Sequence, residues 1–370
     1  MSVAGRRPPV LLVVPGDLDA PTGGTVYDRR LAGALADLGV DVRVVPVEGA
    51  WPRGSARDRR RLAEVLADAR GPVLVDGLVG AGAPEALEAA TAAGAAVHLL
   101  LHLPLALEHV GAPGSAAGDD VADLVALEDR ALAAVRGVVV TSRWAAEHLA
   151  SGARAAGGPV VVAEPGTDPA APARGSTPPF LLQLATLSPR KAQDVVVAAL
   201  AEVVDLPWTA ALVGDDAADP GYALGVRSAV AAAGLEDRVA LTGPLAGAAL
   251  EAVRSAADLV LAPSHAETWG MAVAEGLARG VPAVVGAGTG TEEVLGVGAP
   301  GSDAADPPGA VVAPGDPAAL AAALRRLLEA GGDPDGPLGR ARSAARRRGA
   351  GLAGWDHTAR RVAEALGVVP

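Results

Sequence analysis

The chain has no cysteine, one lysine, one phenylalanine and only 2% aromatic residues in a length of 370. Without cysteine there are no disulfides, no thiolate nucleophile and no cysteine-ligated metal. With so few rings, the cores must be assembled from alanine, valine and leucine, the bulk of the 50% that is apolar. No apolar run approaches the roughly 18 residues of a membrane helix. Val10 to Val14 is also too short for a secretory core segment, despite Arg6 and Arg7 before it, so a cytoplasmic location is expected. The first strand is not followed by G-x-G-x-x-G, which removes the dinucleotide fingerprint. A net charge of −12 argues against general nucleic-acid binding, because phosphate backbones are held by spread positive charge. The basic run Arg342 to Arg348 reads as the exposed face of a C-terminal helix.

What is present is a regular alternation of short apolar runs and longer amphipathic segments. This pattern reads as parallel strands separated by helices. In the first half the expected strands are Val10–Val14, Val42–Val47, Val73–Val75, Ala96–Leu101, Gly137–Thr141 and Val160–Ala163. The expected helices between them are Thr25–Leu38, Ser55–Ala69, Pro84–Ala93, Asp119–Val135 and a segment capped by Ser142. The proline-rich stretch 165–179 reads as an interdomain linker. The second block starts at Phe180 with strands Leu181–Ala185, Thr209–Val213, Val239–Thr242, 258–262, 281–285 and Ala310–Val312. Its helices are Asp194–Val203, Tyr222–Ala233, Ala246–Ala256, one from Gly270, one capped by Asp316, and a terminal helix Trp355–Leu366. The expected fold is therefore α/β, with two Rossmann-like α/β/α domains facing each other across a cleft. The boundaries are residues 1–164, linker 165–179, residues 180–350 and a C-terminal helix in 351–370 that packs back on the first domain.

Candidate chemistry gathers at strand ends, where open α/β sheets bind ligands. Glu267 and Glu275 are eight residues apart around a helix start at Gly270. That spacing lets one carboxylate lie beside the helix-start N–H groups and keeps the other on the same face. Arg190 and the sole lysine, Lys191, follow the first strand of the second block and can hold a diphosphate without a metal. Asp76, His102 and Glu108 follow strands of the first block, and Gly23-Gly24 opens its first helix. Asp17-x-Asp19 reads as a cap or, less well, as a metal-binding pair.

Taken together, Ser188-Pro-Arg-Lys191, Leu212-Val-Gly-Asp215, Pro263-Ser-x-x-Glu-x7-Glu-Gly-Leu-Ala-x-Gly-x-Pro-Ala-Val284 and Gly288-x-Gly-x-Glu292 resemble the retaining glycosyltransferases of family 4, which have the GT-B fold. The resemblance extends over the chain through Pro21-Thr-Gly-Gly24 and His102. It implies a nucleotide-diphosphate-sugar donor held by the second domain and a small-molecule, lipid or glycan acceptor held by the first, with no metal or other cofactor. Arg190 and Lys191 match the diphosphate cations, Glu267 the acid near the transferred sugar, and Glu275 the ribose acid. His102 matches the histidine beside the reacting sugar, and Gly23-Gly24 the loop under the phosphate. Gly214, Asp215, His265, Trp269, Gly270 and Met271 complete the expected donor site, and Asp76 and Glu108 join His102 on the acceptor side. A monomer or weak dimer is expected. The pattern departs from the family at Ala185-Thr186, where an upstream arginine is usual, at Trp269, where phenylalanine is usual, and at Ala192, where glycine is usual. The alternative reading is a two-lobed sugar or nucleotide-sugar binding protein, or a transferase homologue without activity.

Overall fold

The computed structural model describes residues 8–16, 18, 22–111, 119–152, 156–297, 307–329, 333 and 335–368. Asp17 and Asp19 lie outside them. The first block comprises β1 (Val10–Val14), α1 (Gly23–Asp37), β2 (Val42–Pro46), α2 (Ala56–Ala67), β3 (Val73–Asp76), α3 (Gly77–Gly82), α4 (Pro84–Ala92) and β4 (Val97–Leu101). It continues through α5 (Leu105–Glu108), α6 (Asp119–Ala134), β5 (Gly137–Val140), α7 (Arg143–Ser151) and β6 (Val160–Val162). The second block runs β7 (Phe180–Leu184), a 3-10 turn (Pro189–Lys191), α8 (Gln193–Glu202), β8 (Thr209–Val213), α9 (Pro220–Ala232), β9 (Val239–Gly243) and α10 (Gly247–Ala256). After it come β10 (Leu259–Ala262), α11 (Met271–Ala278), β11 (Ala283–Gly286), α12 (Thr291–Leu295), β12 (Gly309–Val312), α13 (Pro317–Leu328), α14 (Pro337–Ala350) and α15 (Trp355–Ala365).

The strands form two parallel six-stranded sheets, in the orders β2-β1-β3-β4-β5-β6 and β12-β11-β10-β7-β8-β9. Strands such as Val73–Asp76 and Val97–Leu101 are buried at every position, as continuous apolar runs covered on both faces must be. The chain divides into two units, residues 1–108, 116–166 and 353–370, and residues 109–115 and 167–352. In unit 1 one sheet face packs Leu62, Leu66, Leu87 and Leu132, while the other packs Tyr27, Leu31 and Leu35 of α1 with Ala359 and Val362 of α15. The last helix is therefore part of unit 1. In unit 2, α8, α9 and α13 cover one sheet face around Trp208 and α11 covers the other, while α14 gives Leu338 and Ala341 to the first core and Ala345 to the second. None of the described helices is long and apolar enough to cross a membrane.

Local chemistry sets the element ends. Thr22 and Ser55 close capping boxes on α1 and α2, and the Asp316 carboxylate caps α13 by accepting from the Ala319 N–H. α1 begins two residues earlier than its expected start, so Gly23 and Gly24 form its first turn instead of a loop before it. The short helix α3, started by the Asp76 carboxylate, is absent from the sequence expectation, since Gly77-Leu-Val-Gly-Ala-Gly is half glycine and carries no helical periodicity. The proline-rich segment is tied to unit 2 from residue 173 onward. Ala173 N–H donates to the Arg279 carbonyl, Arg174 N–H to that of Ser255, and the Asp258 carboxylate accepts from Ser176 N–H and Phe180 N–H.

Candidate functional site

The strand order of unit 2 reverses between β7 and β10, so their carboxyl ends form the switch point at which ligands enter such sheets. The loop after β7 carries Arg190 and Lys191, and the loop after β10 carries Glu267. The fold brings all three together. Lys191 Nζ pairs with Glu267 Oε2, Arg190 Nη1 donates to the Ala266 carbonyl at 3.0 Å, and His265 N–H donates to the Arg190 carbonyl at 2.8 Å. Burial alone would raise the Glu267 carboxyl, but the charges of Lys191 and then Arg190, with hydrogen bonds from Lys191 and the Thr268 N–H, outweigh it and hold the group below the usual carboxylate range.

Two buried glutamines shape the cation loop. Gln183, in the middle of β7, donates from Nε2 to the Lys191 carbonyl at 2.8 Å; Gln193, fully buried, donates to the Thr186 carbonyl at 3.0 Å. Between Lys191 and Gln193 the chain turns through Ala192 at φ +56°, the one non-glycine residue with positive φ among the described residues. Glycine, usual in the family at this place, is the residue that such a turn favours. Gly214 fits beneath the same loop because a Cβ there would lie 1.9 Å from the Ala185 carbonyl. The adjoining Asp215 carbonyl accepts from Leu187 N–H at 2.9 Å.

Around β10, Gly270 sits at φ +91°, and a Cβ on it would lie 2.6 Å from Thr291 Cγ2. It starts α11 with no side chain capping the helix, leaving the positive end at Met271 for an anion. Trp269 is buried, and its indole N–H has no acceptor among the described residues. The His265 ring lies where a Cβ on Gly315 would come within 3.0 Å of its Cε1. Glu275 joins a different group: it pairs with Arg254 of α10, and Arg279 donates to its carbonyl at 3.1 Å. Beside it is a small cavity lined by Leu182, Leu184, Ala257 and Val260. Burial raises the Glu275 carboxyl against the pull of Arg254.

In unit 1 the strand ends bring His102 and Asp76 together. His102 Nε2 lies 3.3 Å from Asp76 Oδ2 and 3.0 Å from Asp28 Oδ1. Asp76 Oδ1 accepts from the Leu78 N–H at 2.8 Å. Burial would lower the pKa of His102, but the charge of Asp28 and hydrogen bonds to both carboxylates raise it to about 10. Gly24 lies under this ring, whereas Glu108 is exposed at the end of α5, outside the group. Asp28, Asp76 and His102 are the one set of metal-type side chains that converges among the described residues.

The sequence reading passed over Gln183, Gln193, Arg254 and Asp28. Gln183 interrupts the apolar run Phe180–Leu184, and Asp28 falls with Leu31 and Leu35 on the inner stripe of α1 at i, i+3 and i+7. Both are polar intrusions into apolar patterns and could have been found. Arg254 leaves no such mark, because a cation in the last turn of a helix is ordinary.

Residues 166–346 match the family model described as Glycosyl transferases group 1. A D-inositol 3-phosphate glycosyltransferase of Kineococcus radiotolerans is 32% identical over 222 residues, which are 54% of this chain and 49% of the relative. The chain thus spans about half the length of the curated relative it matches. Sucrose-phosphate synthase of Thermosynechococcus elongatus has a similar structure, with a TM-score of 0.78 and 21% identity over 97% of this chain and 98% of that one. Anabaena HepE, in complex with UDP and glucose, gives 0.72 at 19% identity over 98% of this chain and 100% of that one. A glycosyltransferase of Rickettsia africae gives 0.70 at 18% identity, with 98% of each chain covered.

Proposed function

We infer, from a second unit that belongs to the glycosyl transferases group 1 in a chain with the GT-B fold, that this protein transfers a sugar from a nucleotide-diphosphate donor to a hydroxyl acceptor with retention of configuration. The observation that carries the reading is the convergence of Arg190, Lys191 and Glu267 at the switch point of unit 2, beside the uncapped start of α11. Two cations and a helix start suit a diphosphate, and an acid held ionised beside them suits sugar hydroxyls. Glu275, oriented by Arg254, is assigned to the ribose, while Gly214, Asp215, His265 and Trp269 shape the walls. The acceptor is assigned to unit 1, near Asp76 and His102.

In the proposed step the acceptor oxygen bonds to the anomeric carbon on the face that the diphosphate leaves. The anomeric carbon–phosphate oxygen bond breaks, and the acceptor's hydroxyl proton passes to the departing phosphate. Arg190, Lys191 and the α11 N–H groups stabilise the charge that develops on the leaving group, without a metal. With its pKa raised to about 10 by Asp28 and Asp76, His102 is a poor proton acceptor, and the reading gives that task to the leaving phosphate. A cytoplasmic location belongs to the same reading.

The test is turnover across UDP-, GDP-, ADP- and TDP-sugars with and without EDTA, following nucleoside diphosphate release and the anomeric configuration of the product. UDP-sugars lead the donor panel because HepE is seen with UDP-glucose, and a phosphorylated cyclitol leads the acceptors because of the Kineococcus relative. A sugar transferred with retention and unaffected by EDTA is expected. Donor binding without turnover over the whole panel would favour a binding protein instead.

A further inference from the structure

On α1, Gly24, Tyr27 and Asp28 occupy positions i, i+3 and i+4, so they share one face within a single turn. The His102 ring, delivered by the end of β4, lies on that face. A Cβ on Gly24 would come 3.3 Å from its Cδ2, closer than a side chain sits without displacing the ring. Tyr27 meets the ring edge-on, with centroids 5.1 Å apart and planes at 73°, and is itself fixed by donating its hydroxyl to the Ala163 carbonyl at 2.9 Å. Asp28 closes the cradle. Its carboxylate is fully buried, with Oδ1 3.0 Å from His102 Nε2 and Oδ2 without a hydrogen-bond partner among the described residues. Asp76 Oδ2 approaches the same nitrogen from the end of β3 at 3.3 Å.

Two ionised carboxylates within hydrogen-bonding range of one ring nitrogen place a proton on that nitrogen, and the second charge beside it favours the doubly protonated ring over the neutral tautomer. Burial raises the Asp28 carboxyl, with Asp76 adding to it, and only the charge and hydrogen bond of His102 pull it down, so the buried carboxylate is strongly disfavoured unless that partner is a cation. We propose that Asp28 is a positioning residue, which together with Asp76 turns Nε2 of His102 inward and keeps the ring an imidazolium at the reacting end of unit 1. His102 is then a fixed positive ring and not a proton acceptor. Its orientation comes from α1, the helix whose first turn carries Gly23 and Gly24. The groups facing it include Asp28 and Tyr27 from α1 and Asp76 from the end of β3. Tyr27 stays neutral, because burial, then Asp28 and Glu164, push its hydroxyl up.

The inference rests on the transfer reading for its kinetic half only. Its first test is imidazole nitrogen and carbon NMR of the free protein as a function of pH. In the parent, the His102 ring is expected to stay protonated through pH 8. In Asp28→Asn, its titration is expected to move down by about one pH unit or more, since one charged acceptor is lost. An unmoved His102 titration overturns the proposal whatever the activity. The second test is kinetic. Asp28→Asn should lower kcat about tenfold or more and leave the donor KM within about twofold. It should also add a titration between pH 6 and 8 to the rate profile, and Asp28→Glu should recover part of the rate. A shifted ring with unchanged kcat overturns the positioning role. If the parent transfers no sugar with any donor, the transfer reading fails, and the NMR titration still decides the state of His102. Should Asp28→Asn not fold, Asp76→Asn removes the other acceptor and must move the same titration down; an unmoved one overturns the proposal.

Discussion

Ala192 holds φ +56° between Lys191 and a fully buried Gln193, and the left-handed region costs an L-residue about 1–2 kcal/mol. Its methyl group is itself buried, and losing it costs about 0.8 kcal/mol. Ala192→Gly is therefore expected to keep or slightly raise the stability measured by urea unfolding, whereas alanine-to-glycine changes in helix interiors lose about 1 kcal/mol. A loss above about 1 kcal/mol would show that the turn carries no strain. At Lys191 the argument is electrostatic. Lys191→Ala should weaken nucleotide-sugar binding by about tenfold to a hundredfold in calorimetry, as expected for one charge-assisted contact to phosphate. At His102 it is protonic. With the folded pKa at about 10 and the unfolded one near 6.5, the folded state keeps a proton over that interval that the unfolded state releases. The stabilisation is complete below pH 6.5 and is lost as the pH rises toward 10. Unfolding free energies across pH 6 to 10 should fall in the parent and fall less in Asp28→Asn.

Among the elements, the segment entering β7 depends on one acid. Asp258, 2% exposed, accepts from Ser176 N–H at 2.9 Å and Phe180 N–H at 2.7 Å and pairs with Arg342 of α14. Replacing it by alanine strands two N–H groups and a half-buried guanidinium, a loss expected at about 3–5 kcal/mol in denaturant melts. A variant within 1 kcal/mol of the parent would mean that water replaces the carboxylate. Helix α11 shows the opposite economy. It starts at a glycine whose φ of +91° and closeness to Thr291 exclude other side chains, and its uncapped first turn costs stability that an anion would restore.

For the molecule as a whole, the end of the chain completes the unit in which it began. Trp355 of α15 meets Tyr27 edge-on at 5.5 Å, Thr358 donates to the Glu164 carbonyl at 2.7 Å, and Val362 and Ala363 are buried in the core under α1. Deleting residues 353–370 is thus expected to abolish the cooperative melt of unit 1 while unit 2 keeps its own, as read by calorimetry and limited proteolysis. Retention of both transitions would show that α15 is dispensable.

The sequence by itself determined the two blocks of alternating strands and helices, since continuous valine and leucine runs such as Leu99–Leu101 fit only strands covered on both sides. It also determined the strand-end position of Arg190, Lys191, Glu267 and His102, because those residues directly follow such runs. Only the tertiary structure decided the partners. Lys191 and Glu267 are 76 positions apart, His102 and Asp28 are 74, and Glu275 turned to Arg254, which no local pattern marks. Local spacing fixes which face a side chain takes on its own element. Which charge it meets depends on strand order, and strand order comes from packing over the whole sheet.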